Sequence, residues 1–244
     1  MTVLSVNLNA VAQLRNRRNL PWPSVTGIAR VVLDAGASGI TIHPRPDERH
    51  IRRTDVHELE ALLRADYPRA EYNIEGYPSP EFLTLVEQVA PDQVTFVPDD
   101  PSQNTSDHGW DIAGDRAVLE PAMARMKAAG IRISLFIDED PEAPALARAM
   151  GADRVELYTG PYGGSYSTPE GDEHLRLLAV TAGAAHAVGL VVNAGHDLTL
   201  DNLPVFMRVM PDIAEVSIGH GITADALLMG FAEAVRRYRV VLGG

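Results

Sequence analysis

The chain has 244 residues, a formal net charge of −12 and no cysteine. That charge argues against wholesale binding to nucleic acid or an anionic membrane, yet leaves room for a local cationic pocket. The missing thiols exclude disulfides, thiolate nucleophiles and thiolate metal ligands. Hydrophobic residues make up 45%, enough for a sizeable core. The opening MTVLSVNLNAV has no basic stretch ahead of a long apolar run, and no apolar stretch approaches the roughly 18 residues of a membrane helix. A soluble, cytoplasmic protein is expected.

In chain order, eight short apolar runs alternate with amphipathic segments. The runs cover residues 3–8, 39–43, 71–75, 93–97, 132–137, 154–158, 190–193 and 215–218. Being β-branched-rich and mostly apolar on both faces, they predict parallel strands covered on both sides. Predicted helices lie at 23–35, at 55–65 behind Thr54 as N-cap, at 80–89 behind Ser79, and at 117–129, 144–150 and 172–188. Glycines 130, 151 and 189 stop the last three. Eight such repeats in about this length predict an α/β fold, a (β/α)8 TIM barrel, with residues 1–244 forming one catalytic domain. The competing doubly wound sheet is disfavoured because no Gly-x-Gly-x-x-Gly follows the first run.

Barrel active sites lie at the C-terminal strand ends, and there the polar residues collect. The first run leads to Asn7 and Asn9, then Arg15, Arg17 and Arg18. The second leads into TIHPRPDERHIR, with His43, Arg45 and His50, a loop stiffened by Pro44 and Pro46. The third ends at Glu75. A long polar loop, 97–111, follows the fourth; it is long enough for a lid, with Trp110 as its packing anchor. Asp138-Glu139-Asp140 after the fifth reads as an acidic cluster at a helix N-terminus. The seventh runs into His196 and Asp197. The eighth runs into Gly219-His220-Gly221, just before Thr223-Ala224-Asp225 opens a helix. The opposite loops are short and plain.

Three histidines (His43, His196 and His220) converging with Glu75 point to proton exchange. A carboxylate inside a buried strand is poorly solvated, which raises its pKa and suits Glu75 to general base work; His43 and His196 have the ordinary range for proton transfer. Gly219-His220-Gly221 reads as a phosphate cradle, with Arg45 and Arg18 for a second anion. His57, His174 and His186 fall within helix patterns and read as structural or surface. A metal site is disfavoured, because His43 and His50 stand at no standard ligand spacing. On these residues alone, a phosphate-binding barrel lyase or isomerase, or a paralogue that only binds a phosphorylated ligand, stays open.

The chain resembles the pyridoxine 5′-phosphate synthase family of deoxyxylulose-5-phosphate-dependent vitamin B6 biosynthesis. The resemblance spans nearly the whole chain. It is carried by Val6-Asn7 with Leu14-Arg15-Asn16, Gly36 to His43 with Arg45 and Arg49-His50-Ile51, Asn73-Ile74-Glu75, Leu135-Phe136-Ile137-Asp138, Asn193-Ala194-Gly195-His196 and Ile218-Gly219-His220. It implies a transferase that condenses 3-amino-2-oxopropyl phosphate with 1-deoxy-D-xylulose 5-phosphate, closing the pyridine ring with loss of phosphate and water. It implies no metal or redox cofactor, and a homo-octamer. His43 and Glu75 then resemble proton acceptors and His196 the proton donor. Arg45, His50 and Thr105 resemble contacts to deoxyxylulose phosphate; Asn7, Arg18, Asp197, Gly219 and His220 resemble contacts to the amino ketone phosphate. Asn9-Ala10 stands where the family commonly has Asp-His contacting deoxyxylulose phosphate, which shifts a larger share of that contact to Arg45 and His50. Asp197 stands where a glycine is common.

Overall fold

The computed structural model describes residues 1–18, 20–99 and 106–244. In chain order the elements are β1 (Val3–Asn7), α1 (Asn9–Asn16), α2 (Val25–Asp34), β2 (Gly39–Ile42), α3 (Arg53–Asp66), β3 (Glu71–Gly76), α4 (Pro80–Val89), β4 (Gln93–Phe96) and α5 (Arg116–Ala128). Then come β5 (Arg132–Ile137), α6 (Ala143–Met150), β6 (Arg154–Tyr158), α7 (Gly160–Gly164), α8 (Pro169–Ala187), β7 (Val191–Gly195), α9 (Leu203–Val209), β8 (Glu215–Ile218), α10 (His220–Met229) and α11 (Phe231–Val241). The strands pair in sequence order, all parallel, and β8 returns to β1, pairing Ser217 with Ser5, to close a (β/α)8 barrel.

Every strand falls within two residues of its expected position. Local chemistry sets many of the helix starts. Ser24 Oγ accepts from Gly27 N at 3.0 Å, Ser79 Oγ from Phe82 N at 3.2 Å and Thr168 Oγ1 from Gly171 N at 3.2 Å. Two starts differ from expectation. The helix α3 begins at Arg53, so Thr54 lies in its first turn and is not the cap; the Asp55 carboxylate instead accepts from Arg52 N at 2.7 Å. The helix α10 begins at His220 rather than at Thr223. Helices α1, α7, α9 and α11 were not expected; the run toward Arg15, Arg17 and Arg18 masks the buried face of α1. The acidic cluster Asp138-Glu139-Asp140 precedes α6 rather than opening it. Asp138 clamps Gly109 N at 2.8 Å, and Glu139 pairs with His174 at 2.5 Å.

The strands are not apolar on both faces. Successive side chains of a strand point to opposite faces. One set (Leu4, Val6, Ile40, Ile42, Ile74, Val94, Phe96, Leu135, Val155, Leu157, Val192, Val216) belongs to the apolar core beneath the helices. The alternate set is polar and buried: Ser5, Thr41, Asn73, Gln93, Thr95, Ser134, Glu156, Asn193, Glu215 and Ser217. These link across neighbouring strands, Ser5 to Thr41 at 2.7 Å and Thr95 to Asn73 at 3.0 Å. Nearer the N-terminal end of the barrel, Arg132 pairs with Glu71, and Arg154 lies 3.7 Å from Glu71 and 3.8 Å from Glu215. The lumen is therefore a polar column, where barrels of this class ordinarily carry bulky branched side chains.

Candidate active site

The β2 loop is fixed from below before it presents anything to a ligand. Helix α1 buries Val11, Ala12 and Arg15 on one face. Arg15 forks onto Asp55 at the start of α3, at 2.5 and 2.9 Å, and donates to the His50 carbonyl at 3.2 Å. The neighbouring Asn16 carboxamide donates to the carbonyls of Glu48, Arg49 and His50 at 2.8–3.1 Å. At the loop's end, Ile51 N donates to His50 Nδ1 at 2.9 Å, which leaves the imidazole proton on Nε2. Burial, Arg45 and Arg49 push the His50 pKa down to about 4.

At the strand ends, His43, Glu75 and His196 line one cavity of about 340 Å³. They share its wall with Asn7, Asn9, Arg45, His50, Asp197, Gly219 and His220, so ten of the expected residues stand together. Asn9 Oδ1 accepts from His43 N at 2.9 Å, Asn9 N donates to Asn7 Oδ1 at 2.9 Å, and Asn7 Nδ2 reaches Glu75 Oε2 at 3.3 Å. The Asn9 side-chain Oδ1 makes a contact to backbone that either Asp or Asn can make. Arg18 is exposed past the end of α1 and is not part of the cavity wall. Thr105 and the centre of the strand-4 loop lie outside the described residues. Trp110 is buried as expected, donating from Nε1 to the Phe96 carbonyl at 2.9 Å.

His196 and Asp197 both adopt the left-handed backbone region, with φ of 77° and 54°. Thr159 Oγ1 holds this turn, sharing its proton between the carbonyls of Gly195 and His196, and Asn202 Nδ2 donates to the Asp197 carbonyl at 2.8 Å. A conformation that favours glycine accounts for a glycine being at home at 197. The His196 ring packs against Phe136 at 5.4 Å and edge-on against Tyr158 at 5.3 Å. Burial lowers its pKa, with Asp197 and Asp99 pulling the other way. Burial also holds His43 well below the ordinary range, reinforced by His50, Arg45, His196 and Arg49. The Glu75 carboxyl is pushed well up, by burial first and then by Glu156, Asp99 and Glu215.

Ala10 also lines the wall, and Glu156, Gln13, Ser106, Tyr158 and Ser217, which complete it, were not anticipated. Glu156 carries the same signal as Glu75, a carboxylate between Val155 and Leu157 inside a buried strand. Burial pushes it up to about 7. A folded-state pKa above the unfolded one means stability that is full below about pH 4.5 and lost as pH rises through about 7, roughly 3 kcal/mol for such a shift. Glu156→Gln should therefore flatten the decline in urea-unfolding free energy between acid and weakly alkaline pH. An unchanged decline would show that another group carries it.

Titratable side chains gathered in one cavity at the C-terminal rim of a closed barrel define the class: a barrel enzyme with its site at the strand ends. Among solved structures, the fold matches thiamine phosphate pyrophosphorylase from Pyrococcus furiosus (TM-score 0.61, 16% identity, 99% of this chain and 95% of that one). It also matches HMG-CoA lyase from Brucella melitensis (TM-score 0.63, 16% identity, 98% and 97%). At those identities the likeness is one of fold. Residues 4–243 match the family described as pyridoxal phosphate biosynthesis protein PdxJ. The pyridoxine 5′-phosphate synthase of Allorhizobium ampelinum is 59% identical over 243 residues, covering 98% of this chain and 97% of the relative. That of Mesorhizobium japonicum is 60% identical over 236 residues, 96% of each. The chain belongs to the PdxJ family.

Proposed function

We propose that this chain is a pyridoxine 5′-phosphate synthase in activity, condensing 3-amino-2-oxopropyl phosphate with 1-deoxy-D-xylulose 5-phosphate and releasing phosphate and water. The observation that carries the reading is the meeting of His43, Glu75 and His196 on one cavity in a chain of this family. Two phosphorylated substrates need two anion sites. The Gly219-His220 start of α10 supplies backbone N–H groups and a positive helix end. Arg45, with His50 beside it, supplies the other.

The proton roles follow from the environments. Burial and the neighbouring carboxylates of Glu156, Asp99 and Glu215 favour the neutral form of Glu75. An ammonium entering beside it favours the carboxylate, so the neutral acid releases its proton to solvent as the substrate binds, and the carboxylate so formed takes the proton that frees the amine to attack the ketone carbon. His196 donates to the departing oxygen; burial lowers its pKa, so it gives up a proton readily, while Asp197 and Asp99 support its charged form. His43, kept neutral, accepts the carbon-bound proton as the ring aromatises. Asn7, tied to Glu75, orients that carboxyl beside the amino ketone.

The reading extends to one catalytic domain over residues 1–244, acting in the cytoplasm as a homo-octamer. No helix among the described residues is long and apolar enough to cross a membrane. Leu227 and Leu228 of α10 stand 76% and 86% exposed, an apolar pair suited to burial between subunits. Purified protein given both substrates should form pyridoxine 5′-phosphate with stoichiometric phosphate release. No product at high enzyme concentration, beside a working positive control, overturns the reading; turnover of either substrate alone favours a lyase or isomerase instead.

A further inference from the structure

Asp99 lies just beyond β4, and the reading above gives it only a through-space influence on His196 and Glu75. Its side chain is buried, and its Oδ2 faces two residues of the β2 loop at once. It accepts a hydrogen bond from the Arg45 guanidinium and lies 3.5 Å from His43 Nε2. It also helps to wall a second cavity, of about 600 Å³, that shares His43 and Arg45 with the first. One carboxylate oxygen thus joins the arginine read as an anion ligand to the histidine read as a base.

We propose that Asp99 is a positioning residue through which anion binding at Arg45 raises the proton affinity of His43, an inference that rests on the synthase reading of those two residues. Around His43 stand His50, Arg45 and Arg49 from its own loop, His196 from the β7 end and Asp99 from the β4 side. With no ligand bound, the Asp99 charge is opposed by Arg45, and His43 is a weak base. An oxyanion on Arg45 neutralises the guanidinium. The Asp99 charge then acts on His43 Nε2 with less opposition, and an opposite charge at that range favours the imidazolium. The base therefore gains strength when the substrate anion is seated. The same geometry sets a competition, because the Asp99 carboxylate and an incoming phosphate claim one guanidinium.

Histidine C2-hydrogen exchange followed by mass spectrometry gives protonation midpoints residue by residue, and inorganic phosphate is the probe. With phosphate saturating, His43 should titrate about one pH unit lower in Asp99→Asn than in the native protein. Calorimetry should show phosphate binding several-fold more tightly to Asp99→Asn. Equal His43 midpoints with phosphate bound, or unchanged phosphate affinity, would overturn the proposal. If Asp99→Asn does not fold, Arg45→Gln replaces it: removing the guanidinium should raise the His43 midpoint without any phosphate, and an unmoved or lowered midpoint overturns the proposal. In turnover, Asp99→Asn should lower kcat and lower the KM for the sugar phosphate, a split that mere disorder of the loop would not produce. The exchange and calorimetric readouts need no turnover. A chain that fails the two-substrate assay yet shows these shifts loses the synthase reading and keeps the Asp99 linkage.

Discussion

Glu75→Gln lowers kcat by about 10²–10⁴-fold while leaving the fold intact and the substrate KM values little changed, the ordinary worth of a positioned acid/base group. The amide has the shape of the carboxyl, keeps an oxygen for Asn7 Nδ2, and removes only the group that takes up a proton. Because Glu75 is already pushed toward its neutral form by burial and by Glu156, Asp99 and Glu215, replacing it with a neutral amide costs the resting protein little. Circular dichroism and steady-state kinetics on the same preparation separate the two effects. A variant that keeps most of its turnover removes Glu75 from the mechanism.

Arg15→Ala is expected to destabilise the protein by about 3–5 kcal/mol, the usual result of breaking a buried ion pair from one side. Arg15 is 6% and Asp55 3% exposed, and the substitution strands the Asp55 carboxylate at the start of α3. The Arg15→Ala, Asp55→Ala double variant should lose less than the sum of the single variants, because neither charge is then left unpaired. Urea unfolding of the four proteins measures the coupling. Strict additivity would mean that the pair contributes nothing as a pair. In an Arg15→Ala protein that still folds, the His50 carbonyl loses its Arg15 contact, so weaker sugar-phosphate binding should accompany the loss of stability.

The barrel was legible because its strands are apolar enough to stand out between helix stops, and the cavity because its residues sit where strands end. The polar lumen was also written in the chain, as Ser5, Thr41, Asn73, Thr95, Ser134 and Asn193 spaced among apolar letters. In runs of four to six residues the apolar letters dominate, and the period of two is lost. Glu156 was missed for the same reason, although its setting repeats that of Glu75. Arg15 and Arg18 look alike in sequence. The helix phase separates them, since Arg15 follows Val11 by one turn on the buried face while Arg18 lies beyond the helix. Asp99 carried no local signal at all, because its meaning lies in Arg45 and His43, more than fifty residues earlier in the chain.

The lumen chemistry also shapes how the molecule responds to temperature. Exposing apolar surface raises heat capacity on unfolding and exposing polar surface lowers it. A column of Ser, Thr, Asn, Gln and Glu in place of Val, Ile and Leu therefore trims the heat-capacity change of unfolding for a barrel of this length. The stability curve becomes shallower and broader, so the fold owes less of its temperature optimum to the barrel interior and more to the seam between strands and helices.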